Sequence, residues 1–383
     1  MDMLPNEHED EKPLKKRKLD RPFSIYRYPR DTPTPATHES DSDSGTEQSF
    51  YAVTADSQTF EPHPIRHPSL WFQDGSLIVV ASDGLTFKLH EGILSRHSEV
   101  LKDLISTLPS SDGSVYRERT LQLPERGDEL ADFFEVLYDG GGHSYYNQDY
   151  VIQFDTLRRL LLVSIKYKVS HIVDSGISRL KTLYPSDYDN WTEWVHAAEP
   201  ETGNVDIRCT DSIAVVEIAR AAGCTELLPV ALYSCVMMPW ENFLEGEKYG
   251  PDTVTLSVED QKLCLKAQDS FRRMSARIND VLLSEGIHGP RSRCQTKPEC
   301  RKVYRELGLA ASRSNITFHV ACFESSVRFI EDIEAKQKKK RCSKCVQYLK
   351  KKIEEREREE WQTLGDVFGI PDWPPKSAAS SES

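Results

Sequence analysis

The sequence predicts an α+β protein: a small β-sheet packed with helices over residues 65 to 185, then a mostly α-helical domain over 186 to 372. Three observations carry that expectation. An unbroken apolar run rich in β-branched residues, Leu77-Ile78-Val79-Val80, is closed by the turn residues Ser82-Asp83-Gly84. From Ile93 onward, apolar residues recur at helical spacing through most of the chain. Before residue 65, Pro, Ser, Thr, Asp and Glu dominate, and Phe23, Tyr26, Tyr28, Phe50 and Tyr51 follow no period. Residues 1 to 64 and 373 to 383 are therefore expected to be disordered tails. A length of 383 residues exceeds what one core organises, and 29% charged residues fit a chain that is part tail.

Order is expected to begin near Trp71. Asp83-Gly84 suits a tight hairpin turn, so Leu85 to Leu89 should return as the second strand. Ile93 and Leu94, then Val100, Leu101, Leu104 and Ile105, call for two short helices with Ser98 as an N-cap. Thr120 to Leu123 reads as a short strand ended by Pro124. Asp128 to Tyr138 places Leu130, Phe133, Phe134 and Leu137 on one stripe, stopped by Gly140-Gly141-Gly142. Leu157, Leu160, Leu161, Ile165, Val169, Ile172, Val173 and Leu180 require two more helices between Phe154 and Leu183.

The order hairpin, helix pair, strand, helices resembles the BTB/POZ domain, and particular residues carry the resemblance. Phe87-Lys88-Leu89-His90, followed by Leu94 and Ser98, matches the family's aromatic, His, Leu and Ser pattern. Phe134-Glu135-Val136-Leu137-Tyr138-Asp139-Gly140 resembles its later helix. Together with the ending from Trp361 to Trp373, the chain is similar to fungal BTB proteins with a long helical C-terminal half. The resemblance implies a protein-protein interaction module or adaptor. A lone His90 at a strand-to-helix junction reads as structural, because no Glu or His stands four residues on.

Two departures bear on self-association. Where the family pairs an Asp before the first strand with a Lys or Arg after the His, this chain offers Ser76 and Glu91, and Asp74 set against Glu91 would bring two acids together. Upstream, Pro62, Pro64 and Pro68 forbid the helix that swaps between subunits in transcription-factor BTB domains. An obligate swapped dimer is not expected; a weak homodimer is left open.

In the C-terminal half, Asp211 to Ala222 and Thr225 to Met238 read as two helices, with Asp211 as N-cap, Gly223 as the stop and Pro229 in the second helix's first turn. The pair resembles the helical extension of adaptors that touch cullin scaffolds, and ordinary packing accounts for it equally well. Cys294, Cys300, Cys342 and Cys345 form two pairs about forty residues apart. Four thiolates suit a tetrahedral zinc site. The five intervening residues of the first pair and the lack of a nearby knuckle glycine favour free thiols on helix faces instead, so no cofactor is expected and structural zinc is the competing reading. Lys350-Lys351-Lys352 meets Glu354-Glu355 at helical spacing, and Val346, Leu349, Ile353, Trp361, Leu364 and Phe368 give that segment an apolar stripe.

Composition narrows the functional classes. No apolar run approaches the ~20 residues that span a bilayer, so no membrane partner is expected. A net charge of -12 opposes broad attraction to nucleic acid, leaving only the basic run Lys336 to Arg341 as a weak candidate. Lys15-Lys16-Arg17-Lys18 on a tail reads as a nuclear import signal ahead of a plain solvating charge run, and the protein is expected in the nucleus, the cytoplasm or both. Ser40 to Glu47 sets hydroxyls among carboxylates, either an acidic-directed kinase site or a plain spacer. An enzyme is not expected: there is no phosphate-cradling glycine loop, His-Glu-x-x-His or Gly-x-Ser-x-Gly. A zinc- or thiol-dependent enzyme is the remote alternative. The sequence points to an adaptor, in transcriptional regulation or as a substrate adaptor of a cullin-type ubiquitin ligase.

Overall fold

The computed structural model describes residues 65–109, 119–196, 204–288, 294–313, 322–323, 330 and 341–375. The fold is mixed α+β. Two compact units divide it: one holds the described residues of 65–146 with 162–172, the other those of 147–161 with 173–375. This differs from the expected boundary at residue 185. The reason lies in local pairing of the segment after residue 146. Strand β5 (Ile152–Gln153) is parallel to β6 (Val205–Asp206), and the fully buried Arg179 donates to the carbonyls of Asn147, Tyr150 and Asn204. Those bonds tie 147–153 to later sequence.

The N-terminal unit is built on a four-stranded sheet in the order β1-β3-β2-β4, from β1 (Ile65–Trp71), β2 (Leu77–Val80), β3 (Leu85–Leu89) and β4 (Arg119–Gln122). Strands β2 and β3 form the antiparallel hairpin, and Gly84 at its turn adopts φ +87°. Asp83 fixes the corner: one carboxylate oxygen accepts the N–H of Leu85 and the other that of Gly127. A Cβ at Gly127 would lie 2.5 Å from Leu85 Cδ2, so only glycine permits that approach. Strand β4 runs parallel to β2.

Strand β1 begins six residues before the expected onset of order. Its sequence, Ile-Arg-His-Pro-Ser-Leu-Trp, lacks apolar alternation and contains a proline. Pro68 is tolerated because β1 is an edge strand, parallel to β3, and its register shifts between Arg66 and Trp71.

Helices α1 (Glu91–His97) and α2 (Glu99–Ser106) meet at Ser98, whose hydroxyl accepts the N–H of Leu101 at 3.0 Å and donates to the Tyr167 carbonyl at 2.6 Å. Helix α3 (Gly127–Asp139) ends at Gly140, which takes φ +52°. Its Phe134 meets Phe87 of β3 edge-on at 5.3 Å. Leu77, Val79, Phe87, Leu94, Leu101 and Phe133 are all buried in this core. Helices α4 (Phe154–Lys166) and α5 (Ser170–Leu183) follow, as the apolar spacing requires.

The other unit is largely helical. After α6 (Tyr188–His196), α7 (Ser212–Ala221) and α8 (Leu228–Val236) form the expected hairpin, turning through Gly223 at φ +65°. Every residue of α8 is buried. Asp211 departs from expectation. Its carboxylate makes no cap bond to α7 but accepts from the Arg208 backbone N–H and guanidinium and from the Tyr249 hydroxyl. The short helical turn at Cys209–Asp211 claims that side chain first.

A short helix α9 (Trp240–Glu245) and the hairpin of β7 (Glu247–Tyr249) with β8 (Asp252–Val254) lead into α10 (Val258–His288), 31 residues long. Helix α10 packs on α11 (Lys297–Arg313) and α12 (Ser343–Trp361). Arg277 of α10 makes a two-pronged pair with Glu360 of α12 at 2.6 and 2.5 Å. The expected stripe of α12 is buried at Leu349, Ile353 and Trp361, and it continues into α13 (Leu364–Val367) through Leu364 and Phe368. Trp361 lies 4.9 Å from Trp191 and 5.6 Å from Trp373, centroid to centroid, so the chain's end closes an aromatic core. No helix among the described residues is long and apolar enough to cross a membrane.

Candidate metal centre

The two cysteine pairs meet. The sulfurs of Cys294, Cys300, Cys342 and Cys345 all lie within 4.8 Å of one another. Two helix starts bring them there. Cys300 is the fourth residue of α11, and Cys294 stands three residues before that helix. Cys342 is the N-cap residue of α12 and Cys345 its third residue. The five-residue gap in the first pair, which argued against a metal from sequence, spans a turn and then the first helical turn. No knuckle glycine is needed, because helix starts aim the side chains.

Backbone and hydroxyl donors surround the sulfurs. The N–H of Gln295 reaches Cys342 Sγ at 3.5 Å, the N–H of Cys342 reaches Cys300 Sγ at 3.2 Å, and Thr296 Oγ1 lies 3.3 Å from Cys300 Sγ. Helix N-termini carry partial positive charge, which favours thiolates. The Gln295 N–H draws the Cys342 thiol down to about 6, while burial pushes the Cys294 and Cys345 thiols up. Cys300 and Cys345 are buried with Tyr304, whose hydroxyl donates to the Cys345 carbonyl at 3.3 Å; Cys294 and Cys342 pack half-buried against them. The helix starts, Gln295, Thr296 and Tyr304 escaped the sequence reading, since the spacing of cysteines says nothing of what lies around them.

The residues that carry the BTB resemblance sit in the other unit. Phe87 and Leu94 are fully buried, and Ser98 joins α1 to α2 as described. The His90 N–H donates to the Tyr138 hydroxyl at 2.7 Å, and its Nε2 lies 3.2 Å from Asp74. His90 beside it holds the Asp74 carboxyl below its usual range. Each acid has its own cationic or imidazole partner: Asp74 faces His90, and Arg119 takes both Glu91 oxygens, at 2.7 and 2.8 Å. Lys15, Lys16, Arg17 and Lys18, the hydroxyl-rich Ser40 to Glu47 and most of the run Lys336 to Arg341 lie outside the described residues. No family model, curated protein or solved structure matches the chain.

Proposed function

We propose that this chain is a protein-interaction adaptor of BTB/POZ type, and not an enzyme, working in the nucleus or cytoplasm. The observation that carries the reading is the order of elements along residues 77–183. The hairpin β2–β3, the helix pair α1–α2, the strand β4 and the helices from α3 onward follow one another as the BTB resemblance implies. The motif residues support it from within: Phe87 and Leu94 fill the core, and Ser98 caps α2. Strand β1 pairs with β3 of its own chain, which supports a unit that needs no swapped partner strand. His90 is engaged by Tyr138 and Asp74, an arrangement that serves to hold a strand end against a helix end.

Quantitative affinity capture of the intact chain from a cell extract, with an equally expressed unrelated bait as control, tests the reading. The expected result is a small, reproducible set of proteins recovered in near-stoichiometric amount. Cullin scaffolds among them would specify the ubiquitin-ligase form of the adaptor, and transcription factors the co-regulator form. Recovery no better than the control would overturn it.

A further inference from the structure

We propose that Cys294, Cys300, Cys342 and Cys345 bind one structural zinc ion that locks the start of α12 to the start of α11. Geometry decides between the two readings the sequence left open. Four sulfurs at a Zn–S distance of about 2.3 Å stand about 3.8 Å apart along the edges of a tetrahedron. Cys294 Sγ and Cys342 Sγ are 3.9 Å apart, and no pair in the quartet exceeds 4.8 Å. Free thiols scattered on helix faces have no reason to converge on one point from two segments about forty residues apart. A disulfide is the other way to use close sulfurs, but it requires an S–S distance near 2.05 Å, and 3.9 Å is far from it.

The donor set narrows the ion to a thiophilic metal of tetrahedral preference, of which zinc needs no redox partner. Four sulfur ligands suit zinc and exclude the oxygen-seeking calcium and magnesium. The sulfurs are too close together to stand around an iron–sulfur cube, whose ligands occupy a larger tetrahedron. Binding deprotonates the thiols, forms four Zn–S bonds and releases the protons to solvent, with no change of oxidation state. The N–H groups of Gln295 and Cys342 already point at two of the sulfurs and share their negative charge. Four protein ligands leave no position for water, so the ion is structural and supports no hydrolysis. Its binding energy becomes folding energy for the segments it joins, α11 and α12, which among the described residues share the small apolar contact around Tyr304 and each pack on α10.

The test uses the intact chain, purified without chelator. Elemental analysis should find one zinc per chain, and cobalt(II) exchanged into the protein should show the intense absorption of a tetrahedral tetrathiolate site. Cys342→Ser and Cys294→Ser should each reduce bound zinc to essentially none, while Cys224→Ser, outside the quartet, should retain it fully. Strong chelation should speed amide exchange in 294–313 and 341–361 and leave 77–105 unchanged. If the serine variants fail to fold, the wild-type zinc content and the cobalt spectrum decide alone. Metal-free protein whose four sulfurs react as ordinary thiols, or whose intact mass shows disulfides among them, would overturn the proposal.

Discussion

The hydroxyl of Tyr188 donates a 2.6 Å hydrogen bond to the buried carboxyl of Glu357, joining α6 to α12 across 169 residues of sequence. The other carboxyl oxygen, Oε1, is buried without a hydrogen-bond partner. Burial pushes the Glu357 carboxyl up to about 8, so it is largely protonated at neutral pH.

A pH dependence follows with a definite sign. Because the folded protein holds this proton more tightly than the unfolded chain does, Glu357 contributes its full share of stability below the ordinary glutamate range. That share is lost as pH rises toward about 8. Each unit of the interval is worth at most about 1.4 kcal/mol. Urea denaturation between pH 5 and pH 9 should therefore show wild-type stability falling by a few kcal/mol from this group, by roughly that factor per unit. Glu357→Gln, which mimics the neutral acid, should flatten the profile. Identical slopes in the two proteins would show that Glu357 is ionised in the fold.

Leu94 is fully buried in the N-terminal unit. Replacing it with Ala should cost about 2 to 5 kcal/mol, since the cavity adds to the lost transfer energy. Amide exchange in peptides from 77–105 should accelerate accordingly. A change below about half a kcal/mol, the size of an ordinary surface substitution, would mean that Leu94 is not in a packed core.

Arg179 organises the start of the other unit through three carbonyls, those of Asn147, Tyr150 and Asn204. Arg179→Met removes all three charge-assisted bonds and should cost about 3 kcal/mol or more. Arg179→Lys should recover only part of this, because an ammonium cannot spread over three acceptors as a planar guanidinium does. The expected signature is faster exchange in 147–153 and 204–206 together. Independent behaviour of those two segments would contradict the link.

Lys15→Ala with Lys16→Ala and Arg17→Ala should shift a fluorescent fusion out of the nucleus, if the basic cluster is read by import receptors. Unchanged nuclear signal in the triple variant, or no nuclear signal in the parent, would remove that expectation.

Much of the N-terminal unit was legible because its signals are local. Asp83-Gly84 names its turn, Ser98 names its cap, and Gly140 ends α3 where the stripe of Leu130, Phe133, Phe134 and Leu137 stops. Strand β1 was not legible, since Pro68 suppresses the strand signal and only the edge position and register shift excuse it. Helix α10 was missed for a different reason. Its buried stripe of Cys264, Ala267, Phe271, Met274, Ile278 and Leu282 includes small and weakly apolar residues, so the periodicity is faint beside its many charges. Asp211 has the residue type and position of a cap for α7, but Arg208 and Tyr249 hold its carboxylate. For the cysteines, sequence supplied the two pairs but not their meeting. That depends on α11 and α12 both packing on α10, a long-range fact that no local spacing encodes.

The proposed function requires a partner protein to dock on the N-terminal unit. Hydrogen exchange of the intact chain, alone and in complex with a protein recovered by affinity capture, tests this peptide by peptide. New protection is expected within residues 65–109, 119–146 and 162–172, the N-terminal unit. Protection confined to α10, α11 and α12, with 65–109, 119–146 and 162–172 unchanged, would contradict the proposal that the N-terminal unit is the interaction module.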